Sequence, residues 1–142
     1  MEKRMGVWID RREAVLVTLL PGGEKIERME SGVFGTMEAH RGVPGDGGRE
    51  RSLDHQLLAF YDRVIDAVKR ADRLVVLGPG AARHHFVARL VHRHPRLPSP
   101  LVGGAPRLTE SQLVLRVRER FREAAAAVDG TLPEPVASSA GG

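Results

Sequence analysis

The sequence predicts an α/β fold: a mixed β-sheet built from a three-strand antiparallel meander, followed by alternating helices and strands. Three observations predict it. Two apolar, β-prone runs near the start, Met5–Asp10 and Ala14–Leu20, are joined by the polar turn "DRRE". At Leu53 the spacing of apolar residues changes to that of a helix. A short apolar run, Leu74–Leu77, then stands between two helical patterns and is closed by Gly78-Pro79-Gly80.

Each element can be read in order. "MGVWID" and "AVLVTLL" form a hairpin, and Pro21-Gly22-Gly23 makes the next turn. "EKIERMES" reads as a weaker third strand with Ile26 and Met29 as its inward anchors. Residues 32 to 51 hold six Gly and one Pro with no period, so they are expected to be a long Gly-rich loop. The first helix should start after Ser52 as N-cap, with Asp54 suited to the positive end of the helix dipole. Its inward face is predicted to be Leu53, Leu57, Leu58, Tyr61, Val64, Ile65 and Val68, with Asp54, Arg63, Asp66 and Arg70 turned outward. The second helix should bury Ala82, Phe86, Val87, Leu90 and Val91, and "HPRLPSP" breaks it. "LVGGA" reads as a short last strand. The third helix follows, with Thr109 and Gln112 at capping-box spacing and Leu113, Val114, Val117 and Phe121 as its stripe. The resulting order, βββ–loop–α–β–α–(β)–α, is that of the ribonuclease-H-like arrangement, a mixed sheet with helices on its faces.

The chain has 142 residues, enough for one domain with one core, expected over 1–127. Residues 128–142 are low in complexity and are expected to be a disordered tail. There is no Cys, which excludes disulfides and thiolate chemistry. No apolar run reaches membrane-spanning length and the N-terminus lacks the apolar core of a secretory signal, so a cytoplasmic protein without a membrane partner is expected. The net charge is +4, and Arg outnumbers Lys by 19 to 3. Arg favours planar, two-pronged contacts to phosphate, so the composition permits a nucleic-acid partner.

Asp10 ends the first strand, where ribonuclease-H-like metal nucleases place a catalytic ligand. Such a site needs further carboxylates, and the fourth strand, "LVVL", has none. A turn or capping role is the simpler reading of Asp10. "LGPGAAR" is a strand–turn–helix whose Gly78 and Gly80 are an anion-binding candidate at a helix start, although the full phosphate-loop patterns are absent. His84, His85, His92 and His94 crowd the second helix without the i,i+4 spacing of a metal pair and read as a solvated surface; His40 and His55 flank the glycine loop. No metal or other cofactor is expected. Arg116 and Arg120 share one face of the third helix, a solvated face or an RNA contact.

"GVWIDRREAVLVTL", the glycine loop, "FYDRVIDAVKRADRLVVLGPGAARHHFVARL" and "LTESQLVLRVRERF" together resemble small bacterial proteins related to the middle domain of archaeal and eukaryotic peptide-chain release factors, often described as translational machinery or host-attachment-like proteins. The resemblance covers roughly residues 5 to 123 and implies a release factor middle-domain-like fold. In release factors the loop between the third strand and the first long helix carries Gly-Gly-Gln and acts at the ribosomal peptidyl transferase centre. At that place this chain has Gly47, Gly48 and then Arg49. The resemblance thus implies ribosomal RNA or tRNA as partner, with Arg41, Arg49 and Arg51 on phosphates and Arg116 and Arg120 as a further basic surface. Three functions stay open: an RNA- or ribosome-binding module presenting the loop, a peptidyl-tRNA ester hydrolase using Gly47, Gly48 and Arg49, and a ribonuclease-H-like metal nuclease. The oligomeric state is not readable.

Overall fold

The computed structural model describes residues 2–32 and 47–129; the side chains of 47–52 and 128–129 are outside that description. The elements are β1 (Arg4–Ile9), β2 (Glu13–Leu20), β3 (Gly23–Glu30), α1 (Gly47–Val68), β4 (Arg73–Gly78), α2 (Ala82–Arg93), β5 (Leu101–Gly104) and α3 (Glu110–Asp129). One five-stranded sheet has the order β3-β2-β1-β4-β5. β1 pairs antiparallel with β2, with Val7 opposite Leu16, and β2 pairs antiparallel with β3. β4 joins β1 in parallel, with Trp8 opposite Leu77, and β5 joins β4 in parallel. This is the predicted mixed sheet, meander first and alternating units after.

Strand side chains alternate between faces, and both faces here are covered. Met5, Val7, Ile9, Ala14, Leu16, Leu74 and Val76 pack under α1 and α2 with Phe60, Tyr61, Val64, Ile65, Phe86 and Leu90. Trp8, Val15, Val17, Leu19, Val75 and Leu77 pack under α3 with Leu113, Val114, Val117 and Phe121. That two-sided burial explains why β1 and β4 read as nearly unbroken apolar runs. Ile26 and Met29, three residues apart, reach opposite faces and join different clusters. Between them β3 turns Glu24, Lys25, Glu27 and Arg28 to solvent along an outer edge of the sheet. At Gly6 in β1 the third helix packs tightly on the sheet: a Cβ there would collide with both methyls of Val117.

The third helix begins with the predicted capping box. The Thr109 amide donates to Gln112 Oε1 (2.9 Å) and the Gln112 amide donates to Thr109 Oγ1 (3.1 Å).

Three expectations are corrected. α1 begins at Gly47, so Ser52 lies inside the helix rather than at its N-cap, and the expected loop of 32–51 loses its last five residues to helix. No proline lies between Pro44 and Pro79, and Arg49, Glu50 and Arg51 are adequate helix formers, so the helix propagates backward at the cost of two glycines. Leu58 and Val91, predicted inward, are 38% and 49% exposed. Each follows a fully seated residue, Leu57 or Leu90, and one residue of rotation carries it off the seam. Phe60 takes a seam position instead and is fully buried. The remainder of the expected loop, 33–46 with Arg41, and most of the expected tail, 130–142, lie outside the described residues.

Candidate functional site at the carboxyl ends of the parallel strands

β1, β3, β4 and β5 run in one direction, so their carboxyl ends share one end of the sheet. In open α/β sheets this is where crevices form, between the loops that follow adjacent parallel strands. Here the loop after β1 is Asp10–Arg12 and the loop after β4 is Pro79–Ala81. Between them and the helices opens a groove of about 590 Å³, walled by Asp10, Arg11 and Arg12, by Asp54 and Leu57 of α1, and by Pro79–Ala82 and His85 at the start of α2.

Local chemistry fixes both loops. Asp10 Oδ1 accepts from the amides of Arg12 (2.7 Å) and Glu13 (2.9 Å), and the Asp10 amide donates to the Glu13 carbonyl (3.1 Å). Asp10 is therefore the turn residue of the β1–β2 hairpin. Among the described residues no group of three or more His, Asp or Glu could hold a metal ion. Ser31, just past β3, ties itself to the same turn: its amide donates to the Arg12 carbonyl (2.8 Å) and its hydroxyl to the Arg11 carbonyl (2.7 Å). The chain just past β3 is thus bonded to the groove wall at Ser31.

On the other side, Gly78 passes so close to β1 that a Cβ would overlap the Ile9 carbonyl oxygen, and Gly80 is left-handed at φ +61°. Arg83 Nη1 donates to the carbonyls of Gly78 and Gly80, both at 2.8 Å, which braces the turn from behind. α2 then starts at Ala82, with Ala81 at its N-cap position, no side-chain cap and no acidic residue in its first turn, so its positive end faces the groove.

Tyr61 sits one turn after Leu57 on α1 and is 1% exposed, and its hydroxyl has no hydrogen-bond partner among the described residues. Burial pushes its pKa up; Arg11 opposes the shift and Asp10 adds to it. Below the groove, α1 and α2 are clamped together by Asp62, which accepts from Arg89 Nε (2.8 Å) and Nη2 (3.0 Å) and pairs with Arg93 (2.9 Å). The Arg89 hydrogen bonds chiefly hold the Asp62 pKa down at about 2.

The structure gathers only part of the predicted site. Gly78 and Gly80 form the turn at the groove, and Gly47, Gly48, Arg49 and Arg51 lie in the first turns of α1. Arg116 and Arg120 are on α3, across the sheet, and half-buried; the Arg120 guanidinium lies against Gly103 of β5. Among the described histidines only His85 lines the groove. Arg11 and Arg12 were not singled out as groove residues by sequence, because their meeting with Gly80 comes from the parallel pairing of β1 and β4, strands more than sixty residues apart.

No protein-family model and no curated protein sequence matches the chain. Solved structures do. Pelota of Thermoplasma acidophilum has 21% identity and a TM-score of 0.52, covering 81% of this chain and 31% of its own. The archaeal translation termination factor aRF1 has 17% identity and a TM-score of 0.56, covering 90% and 39%. Dom34 of S. cerevisiae, described as a translation termination-like factor involved in RNA quality control and interacting with Hbs1, has 11% identity and a TM-score of 0.52, covering 90% and 35%. The chain spans between three and four tenths of the length of these proteins. Its fold, a five-stranded mixed sheet between helical layers, is the fold that Pelota and aRF1 carry in their middle domains.

Proposed function

We propose that the chain is a translation-associated module of release factor middle-domain type, cytoplasmic and bacterial, which binds ribosomal RNA or tRNA through segment 33–46 and the arginines around it. The observation that carries this reading is topological. The chain shares the fold of Pelota and aRF1 and places its glycine-rich segment between β3 and α1, opening from the end of the sheet where Ser31 is fastened. Arg41, Arg49 and Arg51 are the proposed phosphate contacts, in keeping with the excess of Arg. Arg116 and Arg120 are at most secondary, since both are half-buried on the far layer.

The reading is binding rather than ester hydrolysis. Arg49 stands where release factors have Gln, and a permanently charged guanidinium offers donors only, without the acceptor of a neutral amide.

The test is co-sedimentation with ribosomes at graded salt. Association that strengthens steeply as salt falls is expected, because phosphate contacts release counterions. Absence of association at the lowest salt would overturn the proposal. Release of peptide from peptidyl-tRNA, lost in Gly47→Ala/Gly48→Ala, would replace it by the hydrolytic reading.

A further inference from the structure

The sheet has two borders, and they differ in charge. At the β3 border Glu24, Lys25, Glu27 and Arg28 alternate in sign and find partners: Lys25 pairs with Glu27, Arg28 with Glu13 and Glu24 with Arg118. At the other border stands β5, four residues long and bonded to β4 on one side only. In a strand every second residue turns its N–H and C=O away from the bonded neighbour. Among the described residues Leu101–Gly104 make no hydrogen bond beyond those of the β4 ladder, so this outer row is open. Its surroundings are cationic: between Asp72 and Glu110 the chain carries six Arg and no Asp or Glu.

Two guanidinium groups bracket the end of this strand. Successive strand residues face opposite sides of the sheet. On the α3 side a Cβ on Gly103 would collide with Arg120 Nη1, and on the α2 side Arg83 Nη2 lies 3.6 Å from where a Cβ on Gly104 would stand. Arg83 is committed through Nη1 to the Gly78 and Gly80 carbonyls. Arg120 is not: it is half-buried and has no carboxylate or carbonyl partner among the described residues. Arg116, one turn earlier on the same face of α3, is likewise half-buried and unpaired among them. Arg118 marks the opposite flank of the helix, since it reaches Gly23 and Glu24 of β3. Arg116 and Arg120 are thus turned toward the β5 border. Glu119 and Glu123 of α3 are exposed and pair with neither.

An open ladder row fits a strand, and two unpaired arginines fit carboxylates. The spacing serves both at once. Residues four apart on a helix are about 6 Å apart along its axis. Residues two apart on a strand are about 6.6–6.8 Å apart and face the same side. An RNA strand would meet the arginines with phosphates, which only accept and leave the β5 carbonyls without donors. A second copy of the chain would set the same arginines against each other, and like charges oppose such pairing. We propose that the outer edge of β5 takes up an extended acidic segment of a partner protein as an added strand. Asp or Glu at alternate positions of that segment meet Arg116 and Arg120, and a β-branched residue between them faces the Arg83 side. The ladder supplies affinity and the two arginines select an acidic sequence. The surface is separate from the RNA contact proposed above and does not rest on it.

The test is a titration of the whole chain at low salt, followed by the fluorescence anisotropy of a labelled, end-blocked heptapeptide of alternating Glu and Val. Its counterparts carry Gln or Lys in place of Glu, and a labelled oligouridylate is the RNA arm. Saturable binding of the Glu peptide is expected, about 10-fold or more tighter than that of the Gln peptide, with the Lys peptide weakest. Arg116→Gln/Arg120→Gln should bring the Glu peptide down to the affinity of the Gln peptide. A ladder uses every second N–H, so one of the two alternating patterns of backbone N-methylation in the peptide should abolish binding and the other should spare it. Equal binding of the three peptides, no saturation by the Glu peptide, an affinity unchanged in Arg116→Gln/Arg120→Gln, or the same effect of both methylation patterns overturns the proposal. Oligouridylate that displaces the Glu peptide and loses its own binding in Arg116→Gln/Arg120→Gln overturns it in favour of RNA. The peptide series is read on the unaltered chain, so a variant that fails to fold leaves the test standing. Ribosome co-sedimentation reads other residues, so the two readings can fail separately.

Discussion

Asp62 and Arg89 meet across α1 and α2 in a two-pronged contact, both carboxylate oxygens accepting from one guanidinium at 2.8 and 3.0 Å. The contact sets the spacing of the two helices that wall the groove one turn above. Because the Asp62 pKa is depressed to about 2 in the folded chain, its stabilising contribution is present above the unfolded value and fades as pH falls through the folded one. Asp62→Asn is expected to lower the thermal midpoint at neutral pH. The difference from the parent should shrink between about pH 4 and pH 2. Thermal melts across that range check it; a difference that grew on acidification would contradict the assignment.

Gly6 and Val117 form a tight approach of α3 to the sheet. Gly6→Ala should therefore destabilise by roughly 1–3 kcal/mol, as overpacking does. The obstacle is a side chain, so Val117→Ala should relieve it. A double-mutant cycle is expected to show favourable coupling on the order of 1 kcal/mol between the two changes. At Gly78 the obstacle is the Ile9 backbone carbonyl, so Gly78→Ala should be destabilising without a comparable side-chain rescue.

The reciprocal Thr109–Gln112 bonds satisfy two amides at the start of α3. Thr109→Ala should cost about 1 kcal/mol. Urea denaturation is expected to show a lower midpoint with an unchanged slope, since the surface exposed on unfolding is the same.

If segment 33–46 and the start of α1 contact ribosomal phosphates, then Arg41→Ala/Arg49→Ala/Arg51→Ala should weaken co-sedimentation. The slope of log affinity against log salt should flatten by up to about 2–3, one phosphate contact for each arginine. Arg116→Ala/Arg120→Ala, on the far layer, should change it much less. The reverse ranking would move the interface to α3.

Nearly all of the scaffold was legible in the residues. Apolar, β-prone runs placed β1 and β2, the glycine-proline turn closed β4, and the Thr109–Gln112 spacing located the start of α3, because each of these signals is local. Leu58 and Val91 misled because an apolar residue beside a seam position has the same local pattern as one within it. The start of α1 was misplaced because Ser52 is a good capping type and glycine is a poor helix former, yet neither forbids helix. The groove was hardly visible. Gly80 stood out by its turn chemistry, but its meeting with Arg11 depends on β4 lying beside β1, which no short window of sequence encodes.

The outer row of β3 sets charges of alternating sign against water, with Lys25 and Glu27 already paired at 3.3 Å. Any foreign strand approaching that margin would have to dehydrate those ions before gaining a single ladder bond. The meander therefore ends in a guarded border, and crowding of many copies together should not zip them into fibrils from that side.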